Sequence, residues 1–192
     1  MQAKEQRYYT PQEYLELETA AEYRSEYIDG QTFPTVIALP NHNLISGNFH
    51  ARLNHTFREK PYYPFMSDLR LWIPDYQLYT YPDVMIIGGK VEYAQERKDT
   101  VTNPLVIAEI LSDSTERYDR GEKFRRYRSI PTLQEYILIN QKEMQVEQFV
   151  KNDQGQWLLT EYEGETAILK LTSVEFSIPL IELYSKVDFE EK

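Results

Sequence analysis

The chain has 192 residues, 21 lysines and arginines against 31 aspartates and glutamates, a net charge of −10 and no cysteine. That length suits one domain with a sizeable core, and the missing cysteines exclude a disulfide framework or a thiolate metal site. No apolar run approaches the roughly 20 residues that span a bilayer, and residues 1–7 lack a signal-peptide core, so no membrane contact and a cytoplasmic location are expected.

In chain order, Thr10-Pro11-Gln12-Glu13 is a helix start with a capping box. Residues 26–31 read as a strand entering an Asp29-Gly30 turn, and residues 32–39 as the returning strand, held to an edge or bulge by Pro34. Pro40-Asn41-His42-Asn43 opens a second helix. Leu44 or Ile45, Phe49, Leu53 and Phe57 give it an apolar stripe, and Pro61-Tyr62-Tyr63-Pro64 ends it. Residues 65–73 read as one strand alternating around Leu69, Leu71 and Ile73. Residues 81–87 form a strand that includes Asp83, and residues 90–103 a polar loop with a helical turn.

Residues 105–111 are a buried strand whose apolar run holds one acid, Glu109. Residues 115–129 make a helix, capped by Ser112, Asp113 or Ser114 and stopped by Ile130-Pro131. Another apolar strand covers 135–140. Residues 144–151 and 157–162 form a hairpin, 168–171 a short edge strand, and 178–184 a terminal helical turn. With no repeat or linker, the reading is a single domain over 1–192. Its class is α/β (α+β), a central mixed sheet flanked by helices.

Asp83 and Glu109 carry the chemistry. An ionised carboxylate in a central strand needs a partner, because its desolvation costs several kcal/mol or more unless compensated. A divalent cation is one solution, since Mg²⁺ takes oxygen ligands and keeps sites for water and phosphate. Lys123 lies in the following helix and could lean over the same place. The alternatives are plain structure. Asp83 could sit at a strand mouth capped by backbone amides, Glu109 could pair with a buried arginine, and Lys123 could pair with Asp119.

Taken together, Tyr81-Pro82-Asp83-Val84, Ala108-Glu109-Ile110-Leu111-Ser112-Asp113-Ser114-Thr115, Asp119-Arg120-Gly121-Glu122-Lys123 and Tyr127 resemble the Uma-two family. That family, once a bacterial domain of unknown function, is classed with restriction endonucleases in the PD-(D/E)xK superfamily. Further segments around Glu26, His42, Asp68 and Pro131 to Tyr136 extend the resemblance over nearly the whole chain. It implies a restriction-endonuclease-like sheet with a helix on each side. Asp83 matches the acid of the Pro-Asp element and Glu109 the second acid. The Ile110 carbonyl would be a further metal ligand, and Glu26 could join the metal shell. Where the superfamily often has lysine, two residues after the second acid, this chain has Leu111. The family pattern places its lysine in the next helix, at Lys123. His42 matches a family position and could touch substrate or metal.

The resulting reading is an endonuclease dependent on Mg²⁺ or Mn²⁺ that hydrolyses DNA. Asp83, Glu109 and Lys123 are its catalytic residues. Arg117, Arg120, Lys123, Arg125, Arg126 and Arg128 gather in one helix, and Arg120 and Arg126 are taken as backbone contacts. A homodimer is expected, since a nuclease cutting both strands often works as a symmetric pair. The alternative is a catalytically silent binding or regulatory module on the same fold, motivated by the net charge and by Leu111.

Overall fold

The computed structural model describes residues 7–35, 38–94 and 97–190. Helix α1 (Pro11–Ala20) begins with the expected capping box. The Glu13 N–H donates to the Thr10 hydroxyl at 3.2 Å, and the Thr10 N–H donates to the Glu13 carboxylate at 2.7 Å. Strands β1 (Ser25–Ile28) and β2 (Gln31–Pro34) form a hairpin in which Ile28 faces Gln31. Asp29 and Gly30 both take positive φ, 44° and 89°, the geometry that a two-residue hairpin turn demands. The returning strand stops at Pro34, and Val36 and Ile37 of the expected 32–39 strand lie outside the described residues.

Helix α2 (Pro40–Phe57) follows, then β3 (Tyr62–Met66) and β4 (Arg70–Ile73). The single strand expected over 65–73 is therefore two. Ser67, at φ 42°, turns the chain between them, and Tyr62 to Pro64 belong to a strand rather than to a helix stop. The chain continues through β5 (Leu78–Thr80), β6 (Val84–Gly88), β7 (Thr100–Val101) and β8 (Val106–Leu111). Next comes one helical run in three pieces: α3 (Glu116–Tyr118), a π-helical turn (Asp119–Lys123) and α4 (Phe124–Tyr127). Strands β9 (Glu135–Asn140), β10 (Gln145–Lys151), β11 (Trp157–Glu163), β12 (Ile168–Leu171) and β13 (Phe176–Pro179) precede α5 (Leu180–Leu183). The 168–171 strand thus has a partner, β13, whose last two residues the sequence reading placed in the terminal helical turn.

The central sheet runs β11-β10-β9-β8-β6-β3, with β8 and β9 parallel and β6 antiparallel to β8. Strand β3 is its edge, which is why Pro64 is tolerated there. A second sheet runs β2-β1-β5-β4-β7, and β12 pairs with β13. The two-residue period of the central strands sorts the core into two faces. Val84, Ile86, Ala108, Ile110, Ile137 and Ile139 pack with Ile45, Phe49, Leu53 and Phe57 of α2. Met85, Ile87, Ile107, Leu111 and Tyr136 pack with Phe124 and Tyr127 of α4. The sheet is thus mixed and flanked by helices, as the sequence indicates. Glu109 shares its face of the strand with Ile107 and Leu111, so it points to the α4 side.

Glu135, at the start of β9, is fully buried and acts as a staple. Its carboxylate accepts the Thr172 N–H at 2.7 Å, the Thr172 hydroxyl at 3.1 Å, the Ser173 N–H and the Gln148 side-chain amide. It ties the turn between β12 and β13 to the central sheet. Glu135→Ala strands several buried donors and should lower the unfolding free energy by about 3 kcal/mol. Urea denaturation reads this loss. Hydrogen exchange should show Thr172 and Ser173 losing protection before the rest of the chain.

Candidate active site

A cleft of about 1200 Å³ opens where β8 outruns β6, and Glu26, His42, Asp83, Glu109, Ile110 and Lys123 are among its lining residues. Asp83 lies just before β6 rather than within it, so it stands at the strand mouth. Pairing between β6 and β8 reaches only Val84 and Ala108, which leaves the Ile110 N–H without a strand partner on that edge. Asp83 fills the gap. Its Oδ2 accepts the Ile110 N–H at 2.8 Å and lies 3.1 Å from His42 Nε2. The Asp83 N–H in turn points at Glu109 Oε2, 3.3 Å away. The two acids are locked to one another through the backbone of the strands that carry them.

Glu109 is 2% exposed. Its Oε1 accepts the Tyr127 hydroxyl at 2.7 Å and lies 2.9 Å from Lys123 Nζ. The ammonium also stands 3.3 Å from Asp119 Oδ1. Asp119 and Lys123 are the first and last residues of the π-helical turn, and both are buried. Such wide turns occur often at functional sites. Tyr136 fixes this turn from below, since its hydroxyl donates to the Asp119 carbonyl at 3.0 Å. The Lys123 ammonium thus reaches Glu109 from the helical run that follows β8. Leu111 packs in the core.

Burial pushes the Glu109 carboxyl up to about 8. The charges of Asp83 and Asp119 add to this, and Lys123 opposes it. Burial disfavours charge on Lys123 too, but Glu109, Tyr127, Asp119 and Glu26 outweigh it and hold the ammonium well above its ordinary value. Burial likewise raises the Tyr127 hydroxyl, helped by Glu109. It therefore stays a proton donor.

Glu26, on β1, lies across the cleft, where its Oε1 accepts the Thr80 hydroxyl. His42 sits in the first turn of α2. With Asp83 ionised, its Nε2 is the protonated nitrogen, and its buried Nδ1 finds no partner among the described residues. Arg120 and Arg126 are not among the cleft lining. Arg120 pairs with Glu116 at 2.9 Å and with Glu147, and Arg126 donates to the Tyr118 hydroxyl at 2.9 Å. Asp68 is an exposed lip residue 3.2 Å from Arg24.

The sequence reading missed two cleft residues. There Asp119 stands in the block that carries the family resemblance and as an i,i+4 partner of Lys123, but with no role in the site. Gln141, just past β9, is 5% exposed, and its Oε1 has no partner among the described residues. Nothing in the sequence marks it.

The residues fit a hard divalent cation. Asp83, Glu109 and Asp119 converge with Lys123 as the ammonium among them, so this buried group is short of positive charge. Among the described residues no three His, Cys, Asp or Glu side chains make a ready metal cage. Mg²⁺ does not require one, because one or two carboxylates with water and phosphate suffice.

Residues 11–180 match the family described as "Uma2: Putative restriction endonuclease". Two proteins of Synechocystis sp. are similar over most of their length. Sll1609 is 42% identical, covering 88% of this chain and 92% of that protein, and slr1290 is 34% identical, covering 90% of each. The crystal structure described as "a putative nuclease belonging to DUF820" from Anabaena variabilis superposes with a TM-score of 0.74 at 19% identity, over 92% of this chain and 98% of that one. This likeness shows the same fold, with the mixed sheet and flanking helices in common. Together with the sequence matches, it leads to one assignment: the chain belongs to the Uma2 family of restriction-endonuclease-like proteins.

Proposed function

We propose that the protein is a Mg²⁺- or Mn²⁺-dependent endonuclease that hydrolyses DNA phosphodiester bonds in the Asp83–Glu109 cleft. The observation that carries this reading is the buried Lys123–Glu109 contact of 2.9 Å beside an Asp83 pinned by the Ile110 N–H. Asp83, Glu109 and the Ile110 carbonyl would hold the metal, and Glu26, which lines the same cleft, is a candidate for its outer shell. When bound, the metal supplies Lewis-acid charge to the phosphate and lowers the pKa of a bound water.

The chain's own groups prepare that site. Tyr127 and Lys123 both occupy Glu109 Oε1, which turns Oε2 toward Asp83. The Ile110 N–H and His42 both occupy Asp83 Oδ2 and leave Oδ1 for a ligand. Lys123 orients the attacking water and steadies charge that builds on the phosphate oxygens. Water attacks phosphorus as the bond to the leaving sugar oxygen breaks; the attacking water gives one proton to bulk solvent and the leaving oxygen takes one up from it. Cutting both strands of a duplex asks for two such sites, hence a homodimer. The silent-module alternative loses one of its two motives, since a lysine does approach the second acid.

Wild-type protein should nick supercoiled plasmid in Mn²⁺ or Mg²⁺ and not in EDTA. Glu109→Gln should slow this by more than about 100-fold. Cutting that survives in Glu109→Gln would sink the assignment of the site.

Metal binding should also depend on pH. A ligand carboxylate must lose its proton, and Glu109 holds one up to about 8. Mn²⁺ affinity should therefore rise as pH goes from 6.5 toward 8.5, by at most about tenfold per unit, and then level off. Calorimetry in buffers of different ionisation enthalpy should show proton release on binding at pH 7. A flat profile with no proton release would remove Glu109 from the ligand set.

A further inference from the structure

We propose that the basic groove on the outer side of α3 and α4 is a second binding surface, for the phosphate backbone of nucleic acid entering or leaving the cleft. This rests on the nuclease reading above. The groove encloses about 740 Å³ and is lined by Arg117, Arg120, Arg125 and Arg128, with Glu122 as the carboxylate among them. In a chain of net charge −10, such a concentration of one sign marks a local anion site.

The groove is continuous with the cleft, because Ser114 and Tyr118 line both. A polyanion held at Lys123 therefore meets the arginines next. Its floor at Gly121 carries no side chain, and a Cβ there would meet nothing within 4 Å. A sugar-phosphate chain can approach this backbone closely.

The structure also selects which arginines act. Arg120 is held by Glu116 and Glu147, and Arg125 by Glu122. Arg117 and Arg128 are exposed and have no ion pair among the described residues. The Arg128 guanidinium lies over the Phe124 ring, 4.9 Å from its centroid, which holds it in place. These two, rather than Arg120 and Arg126, are the free phosphate ligands. Continuity with the cleft favours a phosphodiester chain over an acidic protein.

The test is anisotropy of a fluorescein-labelled 30-base-pair duplex in EDTA, so that no strand is cut, over a series of salt concentrations. The double variant Arg117→Ala/Arg128→Ala should bind at least about tenfold more weakly, and its slope of log affinity against log salt should fall by about 1.8. Arg58→Gln/Lys98→Gln removes equal charge outside cleft and groove and should match wild type. Mn²⁺ binding by calorimetry should be unchanged in the arginine variant, which shows that the cleft is folded.

If the variant binds and cuts like wild type, the groove proposal falls and the nuclease reading stands. If wild type binds no duplex at any salt, the groove proposal falls, and plasmid nicking in Mn²⁺ decides the nuclease reading separately. If a poly-glutamate peptide binds wild type as tightly as the duplex and with the same dependence on Arg117 and Arg128, the groove takes an acidic protein and the proposal is overturned.

Discussion

The contact between Glu109 and Lys123 is the constraint on which the rest of the site depends. Glu109 faces inward because the period of β8 gives it no choice. Neighbours Ile107 and Leu111 on the same face are core residues. A carboxylate there must be paired, neutral or bound to a cation. Lys123 supplies one partner and Tyr127 a hydrogen bond to the same oxygen. Neither is enough to bring the acid back to its ordinary range, because burial raises it and the charges of Asp83 and Asp119 add to that. The fold thus holds a carboxyl whose affinity for its proton is raised toward neutrality, as the proposed proton release on metal binding requires.

That arrangement is reached by ordinary topology. Strand β8 pairs in parallel with β9, so the chain must cross over between them, and the crossover is the helical run that carries Lys123. On the other edge β8 pairs with β6 in the opposite sense, and the pairing ends early. The unpaired Ile110 N–H is what Asp83 captures. One edge of a single strand therefore orients the first acid, one face carries the second, and the crossover brings the lysine. The Tyr136 hydroxyl and the Phe124–Tyr136 stack, with ring centroids 4.8 Å apart, hold the crossover against the sheet.

Much of this was legible in the residues. The alternation of β8, the lone Glu109 and the position of Lys123 a few turns on are one-dimensional patterns that a folded strand and helix convert directly into space. The β1–β2 turn and the α1 cap were equally local. The rest depended on tertiary pairing. Residues 62–73 carry a mixed apolar pattern that does not reveal the φ of Ser67, so two strands in different sheets read as one. The π-helical turn needs an extra residue per turn, and no side chain announces it, so the burial of Asp119 beside Lys123 is not readable from the sequence, although Asp119 lies in the block that resembles the family. The i,i+4 acids of Arg120 and Arg126, Glu116 and Glu122, are local in sequence, but Glu147 and Tyr118, which also hold them, are remote or on another helical turn.

The net charge poses the last physical question, how an acidic protein would meet a polyanion. Net charge governs solubility and long-range repulsion, while contact depends on the field within a Debye length, about 8 Å in physiological salt. The cleft is acidic around Asp83, Glu109 and Asp119, where the proposed metal would sit. The surface next to it is basic where phosphates outside the reacting bond would lie. A uniformly basic surface would hold nucleic acid everywhere and would compete with the cleft. An acidic body with an arginine-lined path would admit a polyanion along that path and repel it from acidic surface. On this argument a net charge of −10 is compatible with the proposed nuclease function, and under that proposal the charge would restrict where a nucleic acid could bind.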